Sequence, residues 1–163
     1  MLLTNIPPFG WFEANGAVDF AGAKAAHFVV DHATFAGHLS VLHGLFANAL
    51  SVSGAFVWQS VNLPNGAVLD LRDASADEFA DQEGSWPSPG RLLIDGFKYG
   101  RFGSESPHDA ASRLKWLRLQ PVFRPQPYEQ AANVLRESGY ESNTLRILEA
   151  KAKAEPENTS ALA

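Results

Sequence analysis

The chain has 163 residues, 45% apolar side chains and a formal net charge of −5, which fits one domain, or one domain with a small appendage, that buries a core. It contains no cysteine, and this excludes disulfides, thiolate nucleophiles and cysteine-based zinc sites. The first 96 residues hold three basic and ten acidic side chains, so we predict no nucleic-acid partner.

The chain lacks an apolar run of about 18 residues, the length that a membrane-spanning helix needs. Its start, MLLTNIPPFGWF, has neither the basic residues nor the sustained apolar stretch of a secretory signal. We therefore expect a cytoplasmic protein with no membrane span in this chain.

A short repeat of two apolar residues and a small residue fills the first half of the chain. The copies are Val18-x-Phe20-x-x-Ala23, Phe28-x-Val30-x-x-Ala33, Leu39-x-Val41-x-x-Gly44, Leu50-x-Val52-x-x-Ala55, Val61-x-Leu63-x-x-Gly66 and Leu69-x-Leu71-x-x-Ala74, and Leu92-x-Ile94-x-x-Phe97 repeats the strand part. Alternating apolar residues predict short strands with one buried face, and the small residue allows a tight corner.

Such strands bury their apolar faces when successive turns of chain stack on one another. Two repeats, about 20 to 22 residues, make a plausible full turn. We predict a mainly β fold with an α cap: a right-handed parallel β-solenoid of about three to four coils over residues 1–103. A β-sandwich is the alternative, because short strands at this spacing are also typical of sandwiches.

Residues 80–90 contain two prolines and two glycines and predict an irregular loop outside the stack, with Trp86 folded back onto the solenoid. Ser106 followed by Pro107 predicts the start of a first helix that ends near Gln120, before Pro121. Its inward stripe is predicted to contain Ala110, Leu114, Trp116 and Leu117.

Two further helices are predicted, from about Tyr128 to Ser138 and from about Glu141 to Ala154, with Gly139 as the C-terminal cap between them. They form a helical hairpin within a cap over residues 104–154, and residues 155–163 are predicted to be a disordered tail. We expect the cap to cover the last coil. Residues predicted inward on the third helix are Leu145, Leu148 and Ala152, and predicted contacts between coil and cap are Phe97, Tyr99, Phe102, Trp116 and Tyr128.

The segment from Val68 to Lys151 resembles a bacterial family of β-solenoid proteins with pentapeptide-like repeats. The matching elements are Leu69 to Ala74, Ser85-Trp86-Pro87, Leu93 to Tyr99, Trp116-Leu117 and the block Gln126-Pro127-Tyr128-Glu129-Gln130. Members are largely uncharacterised and are often labelled membrane-associated oxidoreductases. The resemblance implies a solenoid fold and, from longer relatives, peripheral membrane association through segments outside this chain. A short family member and a fragment of a longer product both stay open.

Two sets of residues are candidates for chemistry. Four histidines occur in the repeats: His27 and His38 share one repeat position, and His32 and His43 share another. The two members of each pair would lie on different faces of a solenoid, so we predict no metal site. Asp70, Asp73, Asp77, Glu78 and Asp95 are candidates for the acid pair of a carbohydrate-active hydrolase, although surface and edge protection are the favoured roles.

Serines and aromatic residues give no clearer signal. Ser40, Ser51, Ser53 and Ser60 lie outside any G-x-S-x-G motif. Trp58, Trp86, Phe97, Tyr99 and Trp116 are candidates for an aromatic binding surface, and we assign Phe97 and Trp116 to packing.

The sequence therefore favours a non-enzymatic scaffold or protein-interaction module with an unknown protein partner. No catalytic residue, metal or cofactor is predicted, and the oligomeric state is open. The candidate interaction surface contains Trp86, Tyr99, Arg113 and Arg118, and a solvated basic helix face is the other interpretation of the two arginines. The alternative function is an enzyme, either the labelled oxidoreductase or a hydrolase, although no G-x-G-x-x-G follows a strand.

The repeat register makes Ala33→Asp a direct test of the fold. The substitution should place a charge at a buried corner and lower the free energy of unfolding by several kcal/mol. Urea unfolding monitored by circular dichroism measures this loss. An unchanged midpoint would mean that Ala33 is exposed and that the register is wrong.

Overall fold

The computed structural model describes residues 2–4, 12–36 and 43–155 of the chain, which form thirteen short strands, a 3-10 turn at Glu83–Ser85 and three α-helices. The strands are β1 (Leu2–Thr4), β2 (Phe12–Asn15), β3 (Ala17–Asp19), β4 (Lys24–Ala25), β5 (Phe28–Asp31), β6 (Ala33–Ala36), β7 (Gly44–Phe46), β8 (Ser51–Val52), β9 (Ala55–Gln59), β10 (Val68–Asp70), β11 (Ser75–Asp81), β12 (Leu92–Leu93) and β13 (Lys98–Phe102). The helices are α1 (Ala110–Leu117), α2 (Pro125–Glu137) and α3 (Glu141–Ala154).

The strands stack as a parallel β-solenoid of about three coils. Every strand pair within the described ranges is parallel, and each strand lies beside its counterpart in the neighbouring coil. Phe28 lies opposite Phe56, and Phe56 lies opposite Phe79 in the next coil. The predicted parallel stacking into a solenoid is confirmed, and the sandwich alternative is wrong. Both of these coils are longer than the two repeats that were predicted to make one turn.

Three sheets form the sides of the stack. One contains β1, β5, β9, β11, β8 and β4 in that order, with β13 beside β11. The second contains β12, β10, β7 and β3, and the third pairs β2 with β6. Because β11 has seven residues, it spans the positions of both β8 and β9.

A residue in the left-handed backbone conformation, with a positive φ angle, forms one corner of each coil. These residues occupy the same position in successive coils and have φ angles of 68°, 55°, 57° and 78° at Gly22, Ala49, Asp73 and Gly96. At Asp73, the turn closes when the Ala74 N–H donates to the Leu71 carbonyl at 3.1 Å. This backbone conformation costs a non-glycine residue about 1–2 kcal/mol. At this corner the bend is therefore at Asp73, one position before the small residue Ala74 that the repeat predicts.

Aromatic side chains fill the interior from one coil to the next. Phe28 and Phe56 stack with ring centroids 5.2 Å apart, and Phe79 follows 5.8 Å from Phe56. The series continues out of the solenoid, because Trp116 of α1 lies 5.6 Å from Phe79. Such pairs contribute about 0.5–1.5 kcal/mol each beyond their burial. Ala33 is buried as predicted, with 2% of its surface exposed.

Helix α2 covers the free edge of the last coil. Gln126 accepts a hydrogen bond from the Gly96 N–H at 2.9 Å and donates to the Phe97 carbonyl at 3.3 Å. Gln130 donates to the Tyr99 carbonyl at 2.7 Å. Side-chain amides thus pair with backbone groups that a further coil would bind. The predicted role of the helices as a cover for the last coil is confirmed.

The first helix begins later than predicted. Asp109 is the N-cap of α1, and its carboxylate accepts a hydrogen bond from the Ser112 N–H at 2.8 Å. Ser106 is not a cap: it is buried, and its hydroxyl accepts a hydrogen bond from the Asp81 N–H at 2.9 Å. The serine–proline pair is therefore not the helix start, because Ser106 serves the edge of the solenoid.

Helices α2 and α3 form the predicted hairpin. Gly139 has a φ of 84°, and the Tyr140 N–H donates to the Leu135 carbonyl at 2.8 Å. This is the usual C-terminal cap of an α-helix, in which a glycine adopts the left-handed conformation. The predicted inward face of α3 is partly wrong, because Leu145 and Ala152 are exposed. The fully buried residues are Ile147 and Thr144. The predicted tail after residue 155 and the repeat copy at residues 39–41 lie outside the described residues.

The cap of α1 predicts a pH-dependent contribution to stability. The Ser112 backbone N–H holds the pKa of Asp109 below its ordinary value, so the folded state favours the ionised carboxylate. This stabilisation is complete above the unfolded-state pKa of about 3.9 and is lost as the pH falls through the folded-state pKa. Asp109→Ala should cost about 0.5–2 kcal/mol at pH 7.

Urea unfolding of the wild type and of Asp109→Ala between pH 7 and pH 2 tests this. The difference in the free energy of unfolding between the wild type and Asp109→Ala should shrink as the pH approaches 2. Asp109→Asn is the control, since it retains a capping oxygen without a titrating group. A difference that stays constant across this range would contradict the role of the charge.

Candidate functional site

Arg113 and Asp81 form a buried ion pair between α1 and the last coil. The two guanidinium NH groups donate to the two carboxylate oxygens at 2.8 Å each, and both side chains are fully buried. The Arg113 Nε donates to the Pro107 carbonyl at 2.7 Å, and the guanidinium lies 3.6 Å from the ring centroid of Phe102. The prediction that Arg113 belongs to an exposed surface is therefore wrong: it fixes the cap.

Trp86 belongs to the same network. Its indole Nε1 donates to the Asp81 carboxylate at 2.8 Å, and the ring is half-buried. The indole of Trp58 donates to the Ser85 carbonyl at 2.6 Å. The predicted return of Trp86 to the solenoid is confirmed, but the loop is not outside the stack, because Ser85 and Pro87 are buried.

Tyr99 is also buried, and its predicted place on an exposed surface is wrong. It faces inward on β13, with its ring centroid 5.0 Å from both Phe97 and Phe102. Burial raises the pKa of the Tyr99 hydroxyl well above its ordinary value, against the opposing effect of Arg113. Tyr99 is therefore a packing residue, together with Phe97 and Trp116, which were assigned to packing from the sequence.

The structure disperses the histidines. His27 is exposed and its Nδ1 accepts a hydrogen bond from the Ala55 N–H at 3.2 Å. His32 lies 2.8 Å from Asp31, and His43 is buried. His38 lies outside the described residues. Within the parts of the chain that the structure covers, no group of three or more histidine, aspartate or glutamate side chains is arranged to hold a metal ion.

The candidate carboxylates are held by arginines. Arg72 forms a bidentate contact with Asp70, in which Nε and Nη2 donate to the two carboxylate oxygens at 2.9 and 2.6 Å. Arg101 of β13 contacts Glu78 at 2.8 Å and Asp77 at 3.1 Å across adjacent coils. The Arg101 contacts join two adjacent coils, and the Arg72–Asp70 contact lies within one coil. Local stabilisation of the solenoid is therefore the role that this geometry supports.

The remaining candidates are spread along the surface. Asp73 forms a corner, and Asp95 lies 3.9 Å from Arg124. Ser51, Ser53 and Ser60 are exposed, and Ser40 lies outside the described residues.

An open groove lies among the three helices. Its volume is about 430 Å³, and it is lined by Leu114, Arg118, Tyr128, Arg146, Glu149, Ala150, Lys153 and Ala154. Arg146, Ala150 and Lys153 recur every three to four residues on α3 and therefore lie on one face of that helix. Arg118 follows α1 directly and is exposed. It is the one member of the predicted interaction surface that lines this groove.

The groove has an excess of positive charge. Arg118, Arg146 and Lys153 form no ion pair within 4.0 Å among the described residues, whereas Lys115 and Lys151 pair with glutamates. Tyr128 forms part of the floor, and burial raises the pKa of its hydroxyl, opposed by the charge of Arg118. In the part of the chain that the structure describes, Glu149 is the one carboxylate that lines the groove.

Sequence reasoning found Arg118 but missed Arg146 and Lys153. The missed signal is the helical spacing of basic residues on α3 beside the small Ala150. A second signal concerns the ion pair. Asp81 occupies the inward position that Trp58 has one coil earlier, and an acid in a core position predicts a buried cationic partner.

No family model matches this chain, and no curated protein and no solved structure was found to be similar to it. Among the described helices, none combines the length and the apolar character needed to cross a bilayer.

Proposed function

We propose that this protein is a non-enzymatic interaction module: the β-solenoid is a rigid platform, and the groove across its helical cap is where a partner protein docks. The observation that supports this most directly is a set of three cations around an open groove that have no ion-pair partner among the described residues. On the solenoid, Arg72 is paired with Asp70 and Arg101 with Glu78.

The cap is suited to this role because it is held rigidly. Three contacts fix the helices to the last coil: the Arg113–Asp81 ion pair, the aromatic contact of Trp116 with Phe79, and the hydrogen bond that the Gln130 side chain donates to the Tyr99 carbonyl. A preorganised surface binds a partner with a smaller loss of conformational entropy than a mobile one.

We also propose that the chain belongs to the bacterial family of pentapeptide-like solenoid proteins that its second half resembles. The support is the series of corners and the glutamines of the Gln126 to Gln130 block, which bind the last coil. The oxidoreductase label of that family is not part of this proposal, because the chain has neither a cysteine nor a dinucleotide-binding glycine motif.

Affinity capture with the full-length chain tests the module. Immobilised wild type should enrich specific proteins from a bacterial lysate, and an Arg118→Glu/Arg146→Glu variant should recover them at least tenfold less. The control is Arg91→Glu/Lys98→Glu, which makes the same charge change at exposed residues of the solenoid. Matched thermal unfolding curves would show that all three proteins are folded.

Equal recovery by wild type and groove variant, or no enrichment over empty resin, would reject the groove as the docking site. Stabilisation of the protein by a nicotinamide or flavin cofactor would favour the oxidoreductase alternative instead.

A further inference from the structure

The lining of the groove combines apolar and cationic side chains. We call its apolar residues, among them the half-buried Leu114 and the buried Tyr128, the floor. We call its cationic residues, Arg118, Arg146 and Lys153, the rim. A ligand that satisfies both parts needs anionic groups next to an apolar one. Carboxylates suit the arginines in particular, because the guanidinium group offers paired donors to the two carboxylate oxygens.

The dimensions of the groove fit a short piece of extended chain. From Arg146 to Lys153 the axis of α3 rises by about 10 Å, at about 1.5 Å per residue. An extended peptide covers this length with about three residues. Because successive side chains of an extended chain point to opposite faces, acidic residues two positions before and after an apolar residue lie on the same face as that residue. Such a segment can direct its carboxylates to the rim and its apolar side chain to the floor.

Glu149 and the overall charge disfavour a polyanion. Glu149 lies within the lining and repels any anion, so it limits the density of negative charge that the groove can accept. Separated carboxylates therefore fit better than closely spaced phosphates, and the Glu149 carboxylate is available to accept hydrogen bonds from peptide N–H groups. The chain has a formal net charge of −5, which opposes a long nucleic acid or an anionic membrane. A short peptide senses mainly its immediate surroundings, because charges beyond about 8 Å are screened at physiological ionic strength.

We propose that the groove binds an acidic segment of a partner protein in which glutamate or aspartate residues flank a large apolar side chain. This ligand class presupposes the interaction module described above and specifies what the groove recognises. Arg146 and Arg118 bind the carboxylates, Lys153 adds charge at the end of α3, and the apolar side chain packs on Leu114 and Tyr128.

Fluorescence anisotropy with defined peptides tests the ligand class. The probe is a fluorescein-labelled GEELEEG peptide, and the comparison peptides are GQQLQQG, without charge, and GEEGEEG, without the apolar side chain. The full-length protein should bind GEELEEG at least tenfold more tightly than either. Binding should weaken steeply as salt is raised from low to high concentration, because the contacts are ionic and exposed.

Arg146→Glu should reduce the affinity for GEELEEG at least tenfold, and Arg91→Glu, a matched reversal on the solenoid, should leave it within twofold. Both residues are exposed, so both variants should keep the wild-type unfolding midpoint. Equal affinity for all three peptides, or affinity unaffected by Arg146→Glu, would overturn the proposal. So would displacement of the peptide by millimolar inorganic phosphate or by phosphatidylserine vesicles.

Failure of the ligand class and failure of the module give different results. If affinity capture depends on Arg118 and Arg146 but GEELEEG does not bind, the groove docks a partner of another chemistry. If neither the affinity for the peptide nor the recovery of any lysate protein depends on these arginines, the interaction module itself is rejected.

Discussion

The fold depends on how the open end of the solenoid is covered, and the buried ion pair between Asp81 and Arg113 holds α1 against that end. Transfer of the two charges out of water costs several kcal/mol each, and only close geometry with further hydrogen bonds offsets that cost. The Asp81 carboxylate accepts bonds from Arg113 and Trp86, and Arg113 also donates to the Pro107 carbonyl. The apolar column can therefore end at Trp116 of α1 without exposing its last ring.

The groove among the helices follows from this contact. Arg113 faces the last coil, so Leu114 and Arg118 point away from it and towards the groove. Helix α2 lies along the coil edge through Gln126 and Gln130. Helix α3 packs on α2, and the buried Thr144 hydroxyl lies 3.3 Å from the Ala132 carbonyl oxygen and 3.1 Å from that of Tyr140. The outer face of the cap is thus a consequence of its inner contacts, and the cations of the groove remain on the outside.

Local signals in the sequence predicted much of the fold. The apolar alternation that begins at Leu69 and again at Leu92 marks true neighbours in the stack, and Gly139 marks the hairpin turn. The coil length was underestimated, because the chain passes through more than two repeats between Phe28 and its true neighbour Phe56. The site was harder to predict. Arg113 is buried because it pairs with Asp81, which is distant in the sequence. Tyr99 is buried because it packs among the aromatic rings at the end of the core.

A double-mutant cycle on the ion pair tests this account most directly. Urea unfolding would be measured for Arg113→Met, for Asp81→Leu and for the two combined. Each single variant leaves one charge buried without its partner and should lose about 3–5 kcal/mol, whereas the double variant should recover most of that loss. Losses that simply add in the double variant, or single variants as stable as the wild type, would contradict the claim that the two charges hold α1 to the last coil as a coupled pair.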